Sequence, residues 1–519
     1  NRLSFNSAIS HLRKINLPLE ASAKIVKPHL LHNSQWGIID PVDTPDGGNV
    51  GLHKHMAIAT QITNNCSGVP MINWMRINTG MKLLEECSTK YISQCTKIFV
   101  NGSWVGVLDN PEFVMRKIKF FRHLALLPVY LSCHWNMTSN EIFIYTDAGR
   151  LTRPIFYMNG DVPSYVPFEK IIKERDFTWN DLITGFLKKA DERFQVDGCK
   201  IYEPDELYPG IKEDDLTSKK AIIEFIDSAE EESALIAMSI DDIKAKPYTH
   251  MEIHPSLIFG VMGNQIVFPE NNQLPRDLFS CGQSKQAVSL YHSNYQTRID
   301  KMGVVLNCGQ MPLVKSRYLQ YINEEQHPYG MNAIVAIMCY GGYNVEDAIL
   351  FNEGSIKRGM FRTTYFNMYE SREESSKVAG NTVDSHFTNI ESEDTVGLRP
   401  GYDYSVLNKH GLIKENTPLD DKKVIIGKVT TNLSDVSKSL DSSVFPKKGQ
   451  LGFVDKSFIT DGEEGFRLAK VRIREERIPA IRDSIGKIYV PGRVPGSYMI
   501  TERAYLPYYY KTKVNNLDA

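Results

Sequence analysis

The chain has 519 residues, 42% of them hydrophobic and 24% charged, and a formal net charge of −2 at pH 7. That composition is ordinary for water-facing globular domains, and the length is too great for one core, so three or four domains are expected. The near-neutral balance argues against a free-standing nucleic-acid binder held by bulk charge, but leaves room for a local basic surface or a share in a larger assembly.

The eight cysteines include no C-x-x-C pair, which predicts reduced thiols of an intracellular protein and no zinc knuckle. No apolar run reaches the roughly 18 residues of a membrane span, and no signal or transit peptide opens the chain. Because the chain starts at Asn1 rather than Met, it is expected to be an internal piece of a longer polypeptide.

Leu3, Phe5, Ile9 and Leu12 form a loosely helical stripe ahead of Arg13 and Lys14. The stretch from His32 to Leu52 then carries two prolines, four glycines, Asp43, Asp46 and Asn49. Its Pro45-Asp46-Gly47-Gly48 core predicts a shaped loop. Such a loop either caps its own turns through Asx side chains or fits against another chain or a nucleic acid.

Short strands with one helix are expected over about 90–158. Ile98-Phe99-Val100, Asn101-Gly102 and Trp104 to Val107 spell a hairpin. Phe113 to Leu127 has Val114, Ile118, Phe121 and Ala125 at helical spacing, with Arg116, Lys117 and Arg122 on the opposite, solvated face. Residues 168–245, rich in Glu, Asp and Lys, predict an exposed, partly helical module. Glu230, Glu231 and Glu232 would point in different directions from a helix, which suits a solvated helix start better than a metal site. A boundary is expected near 258, where the composition turns to Pro, Asn, Gln and apolar residues. His254, before Pro255, reads as a turn or core histidine.

Two later segments join polar side chains to a constrained backbone. Phe268 to Arg276, followed by Ser284-Lys285-Gln286-Ala287, offers amides, an Arg fork and a Lys, a set suited to phosphate and ribose. An Arg in a structural ion pair is the competing reading. The second is Tyr340-Gly341-Gly342-Tyr343-Asn344-Val345-Glu346-Asp347, where two adjacent carboxylates precede the apolar run Ala348 to Phe351. Facing a buried run, they would need a cation or donors. Mg²⁺ accepts one or two carboxylates beside phosphate oxygens and waters, so a single pair is too few for two ions.

Residues 363–475 read as β-rich, with strands at Val424-Ile425-Ile426, Leu451 to Val454 and Ala469 to Arg474. In the last, Ala469, Val471 and Ile473 alternate with Lys470, Arg472 and Arg474. The basic face would lie along a phosphate backbone or in solvent. The chain contains no P-loop, no G-x-S-x-G, no H-E-x-x-H and no G-x-G-x-x-G.

In order, these segments resemble the second-largest, β-type subunit of multisubunit DNA-directed RNA polymerases, in the eukaryotic nuclear or large DNA virus form. The resemblance rests on Asn1 to Phe5 with Ser10 to Lys14, on Leu31-His32-Asn33 with Pro41 to Leu52, and on Tyr145 to Pro154. It continues through Glu230 to Met238, Glu252 to Ser256 and Tyr340 to Asn352. Asp43 and Asp46 stand where the family usually has Glu.

The fold implied is α+β and multidomain, of mixed helix–strand modules with a β-rich wall or flap and a β-rich hybrid-binding domain. The resemblance implies a fork-like region at 1–64 and external domains at 65–148 and 149–258. It further implies the first part of a hybrid-binding domain at 259–362, a wall at 363–475 and a return to the hybrid-binding domain at 476–483. After Ile481 the family's G-D-K…G-Q-K-G pattern is missing, so 484–519 is expected to be a non-homologous, disordered tail.

Arg276 matches the Arg that contacts the incoming triphosphate, and Glu346 and Asp347 match the acidic pair near the second Mg²⁺, shared with the largest subunit. Lys285 and Gln286 fall where the RNA end is held, and Asn49 lies on the fork loop. The function implied is template-directed RNA synthesis from NTPs as one subunit of a nucleotidyltransferase, with Mg²⁺ held mainly by the largest subunit and no zinc site here. The alternative is a truncated, inactive module that only binds subunits or nucleic acid. Implied partners are the largest subunit, smaller assembly subunits, DNA template, RNA transcript and NTPs, without a membrane. The implied location is the nucleus, or a virus factory or virion.

Overall fold

The computed structural model describes residues 2–19, 25–174, 178–185, 216–244, 246–323, 326–346, 348–378, 381–392, 394–432, 437–462 and 465–480. Asp347 and the tail 484–519 lie outside them. The chain divides into two units, one spanning Arg13–Cys281 and the other joining Asn1–Leu12 to Gly282–Ala519. The elements include both helices and many strands, an α+β architecture. No described helix is long and apolar enough to cross a membrane.

In the Arg13–Cys281 unit a five-stranded sheet has the order Lys82–Leu83, Ser103–Leu108, Thr96–Val100, Glu141–Tyr145, Ser132–Asn136. The Asn101-Gly102 hairpin forms as expected, both residues taking positive φ (48° and 83°) as a tight primed turn requires. Helices Val69–Asn78 and Pro111–His123 cover one face, packing Trp74, Met75, Ile118 and Phe121 on Ile98, Val100, Ile142 and Ile144. Asn110 caps the second helix by accepting from the Phe113 N–H, with Pro111 in its first turn.

That helix ends at His123 rather than Leu127, and Ala125 lies beyond it at φ 52°. Arg122 was expected to face solvent but is only 2% exposed. The helical spacing placed it on the wrong face, because Glu224 and Glu230, far along the chain, pair with it in the interior.

A six-stranded sheet is built around Leu151–Asn159, which pairs with Ile223–Asp227, His250–Met251, Val162–Pro163 and Gln61–Ile62. Ile223–Asp227 is buried along its whole length. The described part of 168–245 is therefore not exposed throughout, since 221–227 is buried while 178–180 and 239–241 are exposed. Glu230 and Glu231 are buried too, because arginines from neighbouring elements pair with them. Asp227 caps their short helix, Ser228–Ser233, by accepting from the Ala229 and Glu230 N–H groups. His254 caps the turn Pro255–Ile258 through Nδ1, which accepts from the Ser256 N–H.

In the other unit, helix Phe5–Leu12 starts from Ser4, whose Oγ accepts from the Ser7 N–H and donates to the Lys285 carbonyl. Its buried side chains are Asn6, Ser7 and Ser10, while Leu12 is 80% exposed, so the expected apolar stripe is not the buried face. Phe5 instead stacks on the His327 ring at 4.0 Å.

One antiparallel sheet runs Met302–Leu306, Thr363–Arg372, Arg467–Arg477, Gly452–Asp461, Pro418–Leu419. Ala469, Val471 and Ile473 are fully buried in its core, as their alternation predicts. A second sheet runs Ser375–Val378, Asn381–Phe387, Lys428–Thr431, Ser439–Asp441, Thr395–Val396. Val424, Ile425 and Ile426 are buried but do not form a regular strand. Ile425 donates to the Val444 carbonyl and accepts from the Ile413 N–H, isolated bonds within a packed, irregular path.

The basic face of Arg467–Arg477 is split, with Arg472 buried, Lys470 partly buried and Arg474 exposed. Arg472 is buried on Asp455, Arg474 also reaches Asp455 (3.4 Å), and Lys470 pairs with Glu370. By contrast, every residue from Ala333 to Cys339 is exposed, and none lies in a strand.

Candidate functional site

Arg276 lies in the first turn of helix Leu274–Ser284 and is exposed. The approach is constrained: Phe268 holds a left-handed φ of 51° and leads into the turn Pro269–Asn271. A bulky residue in that region costs on the order of 1–3 kcal/mol and persists only where the surroundings impose it. The Arg276 guanidinium sits 5.6 Å from the Phe279 ring centre, and no ion pair engages it among the described residues. The competing reading of a structural ion pair is therefore not what these residues form.

Lys285, half-buried, follows this helix and offers its carbonyl to Ser4, while Gln286 is exposed. Arg276 belongs to the Arg13–Cys281 unit, whereas Lys285, Gln286 and Glu346 belong to the other.

Gly341 and Gly342 both take positive φ (63° and 75°) and turn the chain ahead of Glu346, itself at φ 53°. Asn344 closes the turn, accepting from the Tyr340 N–H at 3.2 Å and donating to the Met338 carbonyl at 2.6 Å. Beyond it only Ala348 is buried, and Ile349 is exposed. Glu346 is exposed, so the buried setting expected for the acidic pair is not found at that residue. Asn352 then caps helix Glu353–Lys357 by accepting from the Ser355 N–H.

The third candidate segment, from His32 to Leu52, has a buried base and an exposed tip. Asp40 accepts from the Val42 and Gly260 N–H groups (3.0 and 2.7 Å). Burial and then Asp43 push its carboxyl up to about 7, against those backbone donors. Asp43 is buried beside His55, and Lys54 donates to the carbonyls of Pro28 and Gly51. Asp46 to Val50, Asn49 included, remains exposed.

Below this loop lies a buried ionic network that sequence reading missed. Arg122 reaches Glu224 and Glu230 at 2.7 and 2.8 Å, and Nε2 of His123 and of His250 each stand 2.7 Å from the Glu224 carboxylate. Burial alone would raise Glu224, but Arg122 and His123 more than offset it and hold the carboxyl well below the usual range. Arg150 pairs with Asp227, and Arg153 with Glu231 and Glu252. The signal was a charge set inside apolar strands, as in Ile223-Glu224-Phe225-Ile226-Asp227.

Two carboxylates around Arg153 leave an excess. Burial pushes Glu231 up to about 8, with Arg153 opposing and Glu252 and Glu230 adding to the rise. A folded value above the unfolded 4.5 means stability is fully present below 4.5 and is lost as pH rises toward 8. Glu231→Gln, neutral at every pH, should remove that slope, on the order of 1 kcal/mol per pH unit. Thermal melts at pH 5, 6.5 and 8 should show the variant's advantage growing with pH. A constant difference would contradict the assignment. Asp40 contributes a slope of the same sign, so a residual dependence is expected.

The domain models that match the chain carry the descriptions RNA polymerase Rpb2 domain 3 over residues 1–62, domain 4 over 98–159, domain 5 over 214–255 and domain 6 over 262–486. A domain of unknown function, DUF4837, matches 466–519. The DNA-directed RNA polymerase II subunit 2 of Arabidopsis thaliana is 36% identical over 93% of this chain and 39% of its own length. Subunit RPB2 of Schizosaccharomyces pombe is 32% identical over 93% of this chain and 41% of its own. Subunit Rpo2 of Sulfolobus acidocaldarius is 32% identical over 98% and 43%. The chain thus spans about two fifths of the length of the curated relatives it matches. With four Rpb2 domains matched in order and these identities sustained along nearly all its length, the chain belongs to the Rpb2 family, the second-largest subunits of DNA-directed RNA polymerase, in its eukaryotic form.

Proposed function

We propose that this chain takes part in template-directed RNA synthesis from NTPs, as a portion of the polymerase's second subunit working with the largest subunit, smaller subunits, DNA and RNA in the nucleus. The observation that carries the reading is identity of 30–36% to RNA polymerase II second subunits over 93% of the chain. In this reading residues 1–64 form the fork, 65–258 the external domains, 259–362 with 476–483 the hybrid-binding domain, and 363–475 the wall.

Arg276 would meet the incoming triphosphate with its planar fork of donors, and its exposure at a helix start supports that role. Lys285 and Gln286 would hold the RNA end, and Asn49 would face the DNA. These residues contribute positioning and charge neutralisation rather than covalent chemistry.

Mg²⁺ takes about six oxygens. Among the described residues no group of three or more His, Cys, Asp or Glu could hold a metal ion. The described residues alone do not fit a complete Mg²⁺ site. Glu346 and Asp347 would add at most two carboxylates to an ion whose other ligands come from the largest subunit.

Built into a complete enzyme, Arg276→Ala and Asp347→Ala should each slow elongation by roughly 10- to 100-fold, with assembly unchanged. Single-nucleotide addition rates measure this, and normal elongation by both variants removes the site assignment.

A further inference from the structure

The loop at His32 to Leu52 is fastened to the six-stranded sheet through one buried guanidinium. Arg153 stands on the central strand Leu151–Asn159 and is 1% exposed. Its Nη2 donates to Glu252, and its Nη1 lies 3.5 Å from Glu231 and 3.3 Å from the Trp36 carbonyl, to which it donates. The Trp36 indole Nε1–H donates to the other oxygen of Glu252 at 3.1 Å. Backbone and side chain of one loop residue are thus tied to one buried ion pair.

Gly37 shows how close the approach is. It sits at φ 66°, and a Cβ there would lie 1.9 Å from Arg153 Nη1 and 2.3 Å from Cζ. Guanidinium occupies the space any side chain would need, so the loop crosses the cation with bare backbone.

From this point the path to the tip is held bond by bond. The Ile39 N–H donates to Gln35, the Ala57 N–H and Thr60 hydroxyl to Ile38, and the Asp40 N–H to His55. Asp40 and Asp43 anchor the next turn. At the far end His29 Nδ1 donates to the Val50 carbonyl at 2.7 Å, and the Leu52 N–H to Asn49 at 3.1 Å. Asp46 to Asn49 forms an exposed tip on this scaffold.

We propose that Arg153 is a positioning residue: clamped by Glu252 and Glu231, it fixes the Trp36-Gly37 turn and thereby sets the orientation in which the exposed Asp46–Asn49 tip meets nucleic acid. The inference rests on the fork reading of this loop. A brace serving only its own sheet would spend its donors on that sheet. Here one of them goes to the loop's main chain, and a glycine is needed to admit it. Conservation of charge is therefore insufficient, because Lys offers a single centre in place of the fork.

The test uses the 519-residue chain with Gly37→Ala and Arg153→Lys; Trp36→Phe, which removes only the indole bond, replaces the latter if it does not fold. Hydrogen exchange of the Val50 and Leu52 amides should quicken at least tenfold, while amides of Ile223–Asp227 keep their rates. Fluorescence anisotropy with a forked DNA duplex should show binding weakened at least fivefold. Unchanged tip amides in both variants overturn the proposal, as does a loosened tip with unaltered fork binding. Equal binding of forked and unforked duplex by the unsubstituted chain overturns the nucleic-acid reading itself. That result needs no variant, so the two failures are distinguishable.

Discussion

Arg122→Met is expected to destabilise the Arg13–Cys281 unit by about 3–5 kcal/mol, the cost of stranding buried carboxylates without their cation. The side chain is 2% exposed and joins three elements: its own helix Pro111–His123, Glu224 on Ile223–Asp227, and Glu230 on the short helix that follows. A third bond runs to the Leu131 carbonyl at 2.8 Å. Methionine keeps much of the volume, so the loss reports the charge rather than a cavity. Urea denaturation followed by far-ultraviolet circular dichroism measures it.

A control separates the pair's net worth from the penalty of breaking it. Adding Glu224→Gln and Glu230→Gln to Arg122→Met should recover a large part of the stability, because neutral amides tolerate burial better than orphaned carboxylates. A loss below about 1 kcal/mol for the single variant would mean that the network contributes no more than a surface pair. Glu224, held below its usual range, adds an acid limb: stability present above pH 4.5 is lost as pH falls through the depressed folded value.

The second large effect is expected at Arg472, in the other unit. Its Nε donates to Asp455 at 2.7 Å, and its Nη atoms donate to the carbonyls of Tyr295, Gln296 and Arg298. The guanidinium also lies 4.8 Å from the Phe366 ring centre. One residue thus ties strands Thr363–Arg372, Gly452–Asp461 and Arg467–Arg477 to the segment at 295–298. Arg472→Met leaves three carbonyls and a carboxylate without this donor and should cost about 3–5 kcal/mol. Its neighbour two residues on, Arg474, is exposed and reaches the same Asp455 only at 3.4 Å, so Arg474→Met should cost under about 1 kcal/mol. Equal losses in the two chemical melts would show that the ladder position, and not burial, sets the value.

These two arginines also mark where sequence reading reached its limit. The Asn101-Gly102 hairpin and the buried row Ala469, Val471, Ile473 were legible because turn chemistry and strand alternation are local properties. His254 as a turn residue was legible for the same reason. Arg122 and Arg472 were not, since their partners lie 102 and 17 residues away and a helical or alternating pattern names a face without naming what covers it. Helix Phe5–Leu12 failed in the opposite sense, burying Asn6, Ser7 and Ser10 rather than its apolar stripe.

In the candidate site, the glycine turn before Glu346 follows from its local sequence, but the buried backing expected behind the acidic pair extends only to Ala348. The Arg153 anchor beneath the loop depended on contacts 117 residues apart. It could not be read from the loop's own Pro, Gly and Asx content.

The run Ala333-Ile334-Val335-Ala336-Ile337-Met338-Cys339 carries no charge and no proline, and it is wholly exposed. Windows of six or seven residues with that composition are the ones that assemble into steric zippers. Concentrated samples of the free chain are therefore expected to form fibrils through this segment. Breaking the run with a charge, as in Val335→Lys, should slow fibril growth followed by thioflavin fluorescence.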